Sequence, residues 1–138
     1  MAARDIYHDT VKRALENDGW KITHDPLKLK LGRKEMYVDL GAEQLLAAEK
    51  SGRKIAVEVK SFVGASQLHE LEEALGQFVL YHDVLNEVEP KRELYIAISH
   101  KVYADLFEEP LGQLLLKNNR AQLIVFDPRK ETIVKWIP

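Results

Sequence analysis

The sequence predicts a mixed α/β domain in which helices cover a sheet. Residues 54–60 alternate strictly between apolar and other side chains, as a strand does. An apolar stripe of helical period follows Ser66. Residues 93–99 then alternate again and predict a further strand. The succession of strand, long helix and strand is typical of an α/β domain.

The N-terminal third is predicted to begin with a helix and to continue into strands. Residues 5–18 carry apolar side chains near helical spacing, and Gly19 is a natural stop. Residues 20–23 are a short strand candidate that a turn closes. Residues 37–40 have strand composition, whereas residues 45–50 are ambiguous between helix and strand.

A tight hairpin turn is predicted at residues 51–52, a Ser-Gly pair. With a two-residue loop, Lys50 pairs with Arg53, and Leu45 falls opposite Glu58. The chain just before Leu45 is therefore expected to lie near Glu58.

The C-terminal half is predicted to contain a long helix and several short elements. Ser66 is the expected N-cap, and the helix continues to about Asn86. Its apolar stripe consists of Leu68, Leu71, Leu75, Phe78 and Leu85. After the strand at 93–99, the pattern predicts short helices at 102–107 and 110–118 and closing strands at 123–126 and 132–137.

Composition limits the class of protein. A chain of 138 residues, 46% of them hydrophobic, fits one domain, residues 1–138, with a core of its own. The absence of cysteine excludes disulfides, thiolate zinc sites and a cysteine nucleophile. No apolar stretch approaches the roughly 18 residues of a membrane span. Together with the missing apolar signal core, this predicts a soluble cytoplasmic protein without a membrane partner.

The charge balance limits the mode of DNA binding. The net charge is −2, with 20 basic and 22 acidic residues, whereas a protein with a wide DNA footprint usually has a basic excess. A local basic patch remains possible, and we predict DNA contact by Lys28, Lys30, Arg33 and Lys34. A solvated loop or hairpin explains these four cations equally well.

The strand at residues 54–60 carries the candidate chemistry. Its odd positions are apolar, so Glu58 and Lys60 emerge side by side from the opposite face. Taken alone, such a pair is more often an exposed ion pair of little energetic value. The upstream acid Asp39 changes the balance, because two carboxylates can then converge beside one lysine.

Two carboxylates beside a lysine favour a hard divalent cation. Mg²⁺ or Mn²⁺ takes oxygen ligands from one or two carboxylates, while water and substrate phosphate complete the octahedron. We predict that Asp39 and Glu58 are the metal ligands. Lys60 is predicted to position water or to stabilise developing charge.

This pattern resembles the PD-(D/E)XK nuclease superfamily, whose signature is an acid followed by Glu-x-Lys on the next hairpin strand. Asp39, Glu58 and Lys60 match it, although Val38 stands where proline is common. The long spacing between the two acids leaves Glu43 as a reserve first ligand. The resemblance implies a restriction-endonuclease-like core and catalysis by these residues.

Three further candidate residues come from the helices. Gln77 and Tyr81 resemble the Gln-x-x-x-Tyr motif of RecB-type members of that superfamily, and an i, i+4 pair shares one helical face. An ordinary helix surface is the alternative. Glu16 on the first helix is a weaker candidate, for which we expect a solvated position.

Almost the whole chain is similar to the XisH family, the excision controlling factors of the fdxN element. The similarity is carried by residues 5–9, 19–20, 23–26, 37–43, 55–62 and 75–81. It implies an accessory protein of DNA rearrangement that works beside a site-specific recombinase and a companion protein, XisI.

Three functions remain open at this point. The first is a metal-dependent DNA endonuclease, and the second is a non-catalytic factor that binds DNA or XisI. The third is one half of a toxin-like or defence pair. We also expect a homo-oligomer, because nucleases of this fold often pair two sites and two-fold dimers are the commonest closed assembly.

Overall fold

The computed structural model describes residues 5–44 and 52–138. The helices are α1 (His8–Asn17), α2 (Gln67–Val88), α3 (His100–Val102) and α4 (Pro110–Lys117), with a π-helical turn at Tyr103–Phe107. The strands are β1 (Lys21–His24), β2 (Leu27–Leu31), β3 (Lys34–Val38), β4 (Leu40–Gln44), β5 (Arg53–Val59), β6 (Arg92–Ser99), β7 (Leu123–Asp127) and β8 (Thr132–Ile137).

Six strands form one mixed sheet in the order β1-β4-β5-β6-β7-β8. The central strands β5, β6 and β7 run parallel, and the outer pairs are antiparallel. Strands β2 and β3 form a separate antiparallel hairpin. The predicted class, a mixed sheet flanked by helices, is confirmed.

Strand β5 is buried on both faces, as expected of a central strand with parallel pairing. Its apolar face, with Val57 and Val59, packs in one cluster with Val11 and Leu15 of α1. Ala56, on the other face, belongs to the cluster that includes the buried side of α2. The predicted division of β5 into an apolar face and a face shared by Glu58 and Lys60 is therefore confirmed for the buried positions.

Helix α2 begins where the sequence predicted. The Ser66 side chain accepts a hydrogen bond from the His69 N–H at 3.2 Å, as an N-cap does. Leu71, Phe78 and Leu85 of the predicted stripe are buried, but Leu68 in the first turn is 55% exposed. No helix in residues 5–44 or 52–138 is long and apolar enough to cross a membrane.

The predicted register of the hairpin before β5 was wrong. Arg53 pairs with Gln44, not with Lys50, and Leu40 pairs with Val57. Position 39, rather than Leu45, therefore lies across from Glu58. The predicted register would place Leu40 opposite Val63, beyond the end of β5, where Leu40 would lose the burial that it has beside Val57. Residues 45–51, with the predicted turn, lie outside the described residues.

The β2–β3 hairpin was not predicted as a pair of strands. Leu27 and Leu29 are buried in the core on the α2 side of the sheet, while Lys28 and Lys30 are exposed. The two-residue turn contains Gly32 at φ +60°, a backbone conformation that glycine adopts without steric cost. The sequence was compatible with either a loop or a hairpin for the basic patch. In the structure, the basic patch lies on this hairpin.

A close backbone contact between α4 and the π-helical turn requires glycine. A Cβ on Gly112 would lie 2.2 Å from the carbonyl oxygen of Leu106 and 2.3 Å from the Cα of Phe107. We expect Gly112→Ala to lower the free energy of unfolding by about 3 kcal/mol, since backbone cannot relax as a flexible side chain can. Urea denaturation measures this.

The matched control is Gly76→Ala in the middle of α2, where a Cβ would meet no atom within 4 Å. Alanine there is expected to stabilise the protein by about 1 kcal/mol through its helix propensity. Equal effects of the two substitutions would show that α4 does not pack as closely as described.

Candidate active site

The site forms where the chain passes from the β2–β3 hairpin to the main sheet. Asp39 lies at this bend, between β3 and β4, and faces Glu58 across the β4–β5 ladder. The Asp39 N–H donates to Glu58 Oε1 at 3.1 Å, and the Val59 N–H donates to Asp39 Oδ2 at 2.8 Å. Each carboxylate is thus held by backbone of the opposite segment, which fixes the two acids side by side.

Lys60 completes the acid–amine cluster at the carboxyl end of β5. Its Nζ lies 3.6 Å from Glu58 Oε2, and its side chain is 24% exposed. The Lys60 N–H donates to the carbonyl of Ala97 at 3.0 Å, so the parallel ladder with β6 continues to this residue. The ammonium group therefore lies at the carboxyl end of this central strand, where the parallel ladder holds its backbone.

Burial makes ionisation of Glu58 unfavourable. The residue is 8% exposed. Burial first, and then the charge of Asp39, raise the pKa of Glu58 from 4.5 to about 8, although Lys60 opposes this rise. Near neutral pH the site therefore holds a proton that a cation could replace.

Tyr81 of α2 interacts with this cluster, and Gln77 lies one turn before it on the same helix. Burial raises the pKa of Tyr81, and so do the charges of Glu58 and Asp39, which places the phenol in the field of both acids. One turn earlier, the Gln77 Oε1 is buried and accepts no hydrogen bond within the described part of the chain. The structure thus puts Tyr81 beside the acids and leaves an acceptor of Gln77 open to a donor.

Comparison with known proteins identifies the family. The family model described as XisH protein matches residues 1–134. The chain belongs to the XisH family. No curated protein matches this XisH chain.

Two crystal structures of relatives share the whole XisH fold. An XisH family protein from Nostoc punctiforme PCC 73102 is 37% identical, with a TM-score of 0.87, over 97% of this chain and 100% of that one. An fdxN element excision controlling factor protein from Anabaena variabilis is 39% identical, with a TM-score of 0.86, over 98% and 100% of the two chains.

The end of β5 in this XisH chain is held by a residue that sequence analysis did not single out. Asp5 accepts hydrogen bonds from the Ser61 N–H and the Tyr7 N–H, both at 2.9 Å. Phe62 follows with φ +55°, a strained conformation for a bulky residue. Asp5 also lines a cavity of about 140 Å³ beside Lys60. An acid before a helix gives no signal that its partner lies 56 residues further on.

Glu43, the reserve ligand, is not brought to this cluster. It pairs in register with Lys54 and lies 3.7 Å from Arg92 Nη2 and 3.8 Å from Lys54 Nζ. Since Lys54 is four residues from Glu58, about 13 Å of strand separates Glu43 from the acid pair. The structure therefore pairs Asp39, and not Glu43, with Glu58.

Glu16 and the basic patch lie apart from the acids. Glu16 is exposed on α1, which packs on the opposite face of the sheet, and the expected solvated position is confirmed. Lys28 forms an ion pair with Glu35 at 3.2 Å on the exposed face of the hairpin. Tyr37 pairs in register with Lys28 and is 50% exposed. That face leads directly to Asp39, two residues beyond Tyr37.

The donor set fits a hard divalent cation with an incomplete protein shell. Within residues 5–44 and 52–138 no group of three or more acidic or histidine side chains converges. Asp39 and Glu58 supply carboxylate oxygens, and Mg²⁺ commonly takes only one or two such ligands, the rest being water and phosphate. Such an ion would neutralise the charge of this carboxylate pair, in which burial raises the pKa of Glu58.

Proposed function

We propose that this XisH chain is a metal-dependent DNA-processing factor that cleaves DNA phosphodiesters during excision of a DNA element. The observation that carries the proposal is the pair of backbone hydrogen bonds that hold the Asp39 and Glu58 carboxylates together beside Lys60. The resemblance to the PD-(D/E)XK superfamily supports it, because these three residues match its signature. The relative from Anabaena variabilis, an excision controlling factor, supports the link to excision.

The proposed cofactor is Mg²⁺ or Mn²⁺, held by Asp39 and Glu58. When bound, such an ion lowers the pKa of coordinated water and offsets charge on the phosphoryl group. The backbone N–H groups of Asp39 and Val59 orient the two carboxylates before any ion arrives. Such preorganisation avoids the cost of rearrangement during reaction.

Lys60 is the proposed catalytic cation. From the carboxyl end of β5 its ammonium faces the same space as Glu58 and reaches solvent. There it donates hydrogen bonds to a phosphate oxygen or orients the attacking water. Tyr81 lies in the field of both acids, and we expect it to position the substrate or its water, together with the open acceptor of Gln77 one helical turn away.

DNA is proposed to approach along the exposed face of the β2–β3 hairpin. Lys28 and Lys30 project from this face and Tyr37 lies between Lys28 and the acids, so phosphate contacts would lead into the site. Arg33, in the turn, and Lys34, which pairs with Leu31 on the other face of the hairpin, lie at the far tip, so we expect the weakest DNA contacts from these two of the four predicted cations. A short basic track of this kind is compatible with a net charge of −2.

The double substitution K28A/K30A tests this track. We expect weaker binding of duplex DNA and a salt dependence shallower by about 2 in the slope of log K against log salt, because two phosphate contacts are lost. Fluorescence anisotropy across a salt series measures both quantities. The control K91A/K117A removes two exposed lysines elsewhere, and an equal loss of slope there would contradict the assignment.

The cleavage assay tests the function itself. The protein is incubated with duplex, nicked and branched DNA in Mg²⁺ or Mn²⁺, with EDTA as the metal-free control. Metal-dependent nicking that disappears in D39N and persists in E43Q is expected, because only Asp39 lies against Glu58. Absence of cleavage on every substrate would remove the catalytic proposal.

A non-catalytic role is the second candidate, and the slightly acidic net charge favours it. In that case the fold acts by binding DNA or an XisI-type companion beside a site-specific recombinase. Excision measured in cells separates the two functions: E58Q and K60A abolish excision if the chain cleaves DNA. Both variants excise normally if it acts by binding alone.

A further inference from the structure

An open groove lies between the tip of the β2–β3 hairpin and α2, away from the acid pair. Its volume is about 620 Å³. Apolar side chains line the groove, and two acidic residues of α2 lie along one side of it. The residues that line it include Leu31, Val79, Leu80, Asp83, Val84 and Glu87.

The apolar side chains of the groove are unusually exposed. Leu31 is 48% exposed, Val79 58% and Leu80 52%. Leu31 continues the buried stripe of β2, after Leu27 and Leu29, to a point where α2 no longer covers it. Adjacent large apolar side chains that remain exposed are typical of an interaction surface rather than of isolated surface residues.

Opposite charges flank this apolar centre. Asp83 and Glu87 are exposed on the helix side, and Arg33 and Lys34 are exposed at the hairpin tip. Arg33 and Lys34 form no ion pair within residues 5–44 and 52–138, and neither acid pairs with them. Within the described residues, Arg33, Lys34 and Glu87 thus present charge without an ion-pair partner, and Asp83 has only the His82 ring nitrogen, at 3.6 Å.

We propose that the groove binds a second copy of this chain in a two-fold dimer. A two-fold axis through the middle of the groove, between the hairpin tip and α2, places the hairpin tip of each copy against the helix of the other, so each basic tip meets an acidic rim. A purely acidic partner, DNA included, would meet Asp83 and Glu87, and a purely basic partner would meet Arg33 and Lys34. The self-complementary pattern thus favours the same chain as occupant.

The dimer does not depend on the proposed nuclease function. The surface uses the tip of the hairpin and the outer side of α2, whereas Lys28 and Tyr37 belong to the opposite, exposed face of the hairpin. Assembly and cleavage can therefore be measured separately, and either can fail without the other.

Sedimentation equilibrium across the micromolar range tests the dimer. The full chain is expected to self-associate, and L80D is expected to raise the dimer dissociation constant by about 100-fold, as removal of a central apolar contact does. L68D is the matched control, because Leu68 is a leucine of the same helix with a similar exposure, 55%, outside the groove. Circular dichroism checks that both variants fold.

Charge reversal tests the pairing of tip and rim. R33E alone is expected to weaken the dimer, and adding E87R is expected to restore it, because the ion pair is rebuilt with exchanged signs. A monomeric wild-type chain throughout the micromolar range would overturn the proposal. So would equal weakening by L80D and L68D, or a failure of E87R to rescue R33E.

Discussion

Replacing Glu58 by glutamine is expected to raise the free energy of unfolding by about 3 kcal/mol at pH 7 in the absence of divalent metal. Glutamine resembles the neutral acid and keeps an acceptor for the Asp39 N–H. The gain arises because burial and the charge of Asp39 make the ionised form of Glu58 costly in the folded state.

The sign of the pH dependence follows from the direction of the shift. The pKa of Glu58 is about 8 when folded against 4.5 when unfolded, so the folded protein binds more protons between these values. The contribution of Glu58 is fully present below pH 4.5 and is lost as the pH rises to about 8, by ~1.4 kcal/mol per pH unit. E58Q should therefore equal wild type near pH 4.5 and exceed it increasingly above.

Urea denaturation of both proteins at several pH values, in EDTA, measures this difference. The control is E16Q, which neutralises an exposed acid on α1 and should leave the pH dependence unchanged. A Glu58 variant that matches wild type at every pH would show that the carboxylate ionises without cost, and the electrostatic case for a cation at this site would be lost.

Divalent metal is expected to cancel most of this difference. An ion that binds the folded state at about 100 times its dissociation constant adds about 2.7 kcal/mol to the stability of the wild type. E58Q and D39N lose a ligand and should gain much less. A thermal shift in Mn²⁺ that is the same in wild type and in both variants would place the ion elsewhere.

Replacing Lys60 by alanine is expected to lower the rate of metal-dependent DNA cleavage about 1000-fold while leaving DNA affinity nearly unchanged. Removal of one group that stabilises charge in a transition state commonly costs 10²- to 10³-fold or more. Single-turnover cleavage of a labelled duplex gives the rate, and anisotropy gives the affinity.

A second measurement separates catalysis from folding in this variant. Lys60 lowers the pKa of Glu58, so its removal should shift the rising limb of the pH–rate profile to higher pH. The matched control is K54A, which removes a lysine of the same strand that is 53% exposed and pairs with Glu43, away from Asp39 and Glu58. A similar loss in K54A, or full activity in K60A, would contradict the assigned role.

The chemistry of β5 could be predicted from the sequence because it is local. Alternation along a strand puts Glu58 and Lys60 on one face whatever the rest of the chain does. The N-cap at Ser66 and the i, i+4 relation of Gln77 and Tyr81 are local in the same sense. Each of these placements follows from backbone geometry over a few residues.

Asp39 was predicted as the first acid, but the sequence left Glu43 in reserve, because the choice between them depends on register. Asp39 and Glu43 lie four residues apart, and a hairpin turn at residues 51–52 implied another pairing. Burial of Leu40 and Ala42 against β5 sets the register observed, and that packing involves residues far apart in the chain.

By itself, the sequence determined a mixed α/β chain of the XisH family with an acid–amine pair on a central strand. Only the tertiary structure decided that Asp39 is the partner of Glu58, that Glu58 is buried enough to resist ionisation, and that Asp5 holds the end of β5. The physical reason is range: alternation and capping act between neighbours, whereas desolvation and pairing register depend on contacts that the folded chain alone brings together.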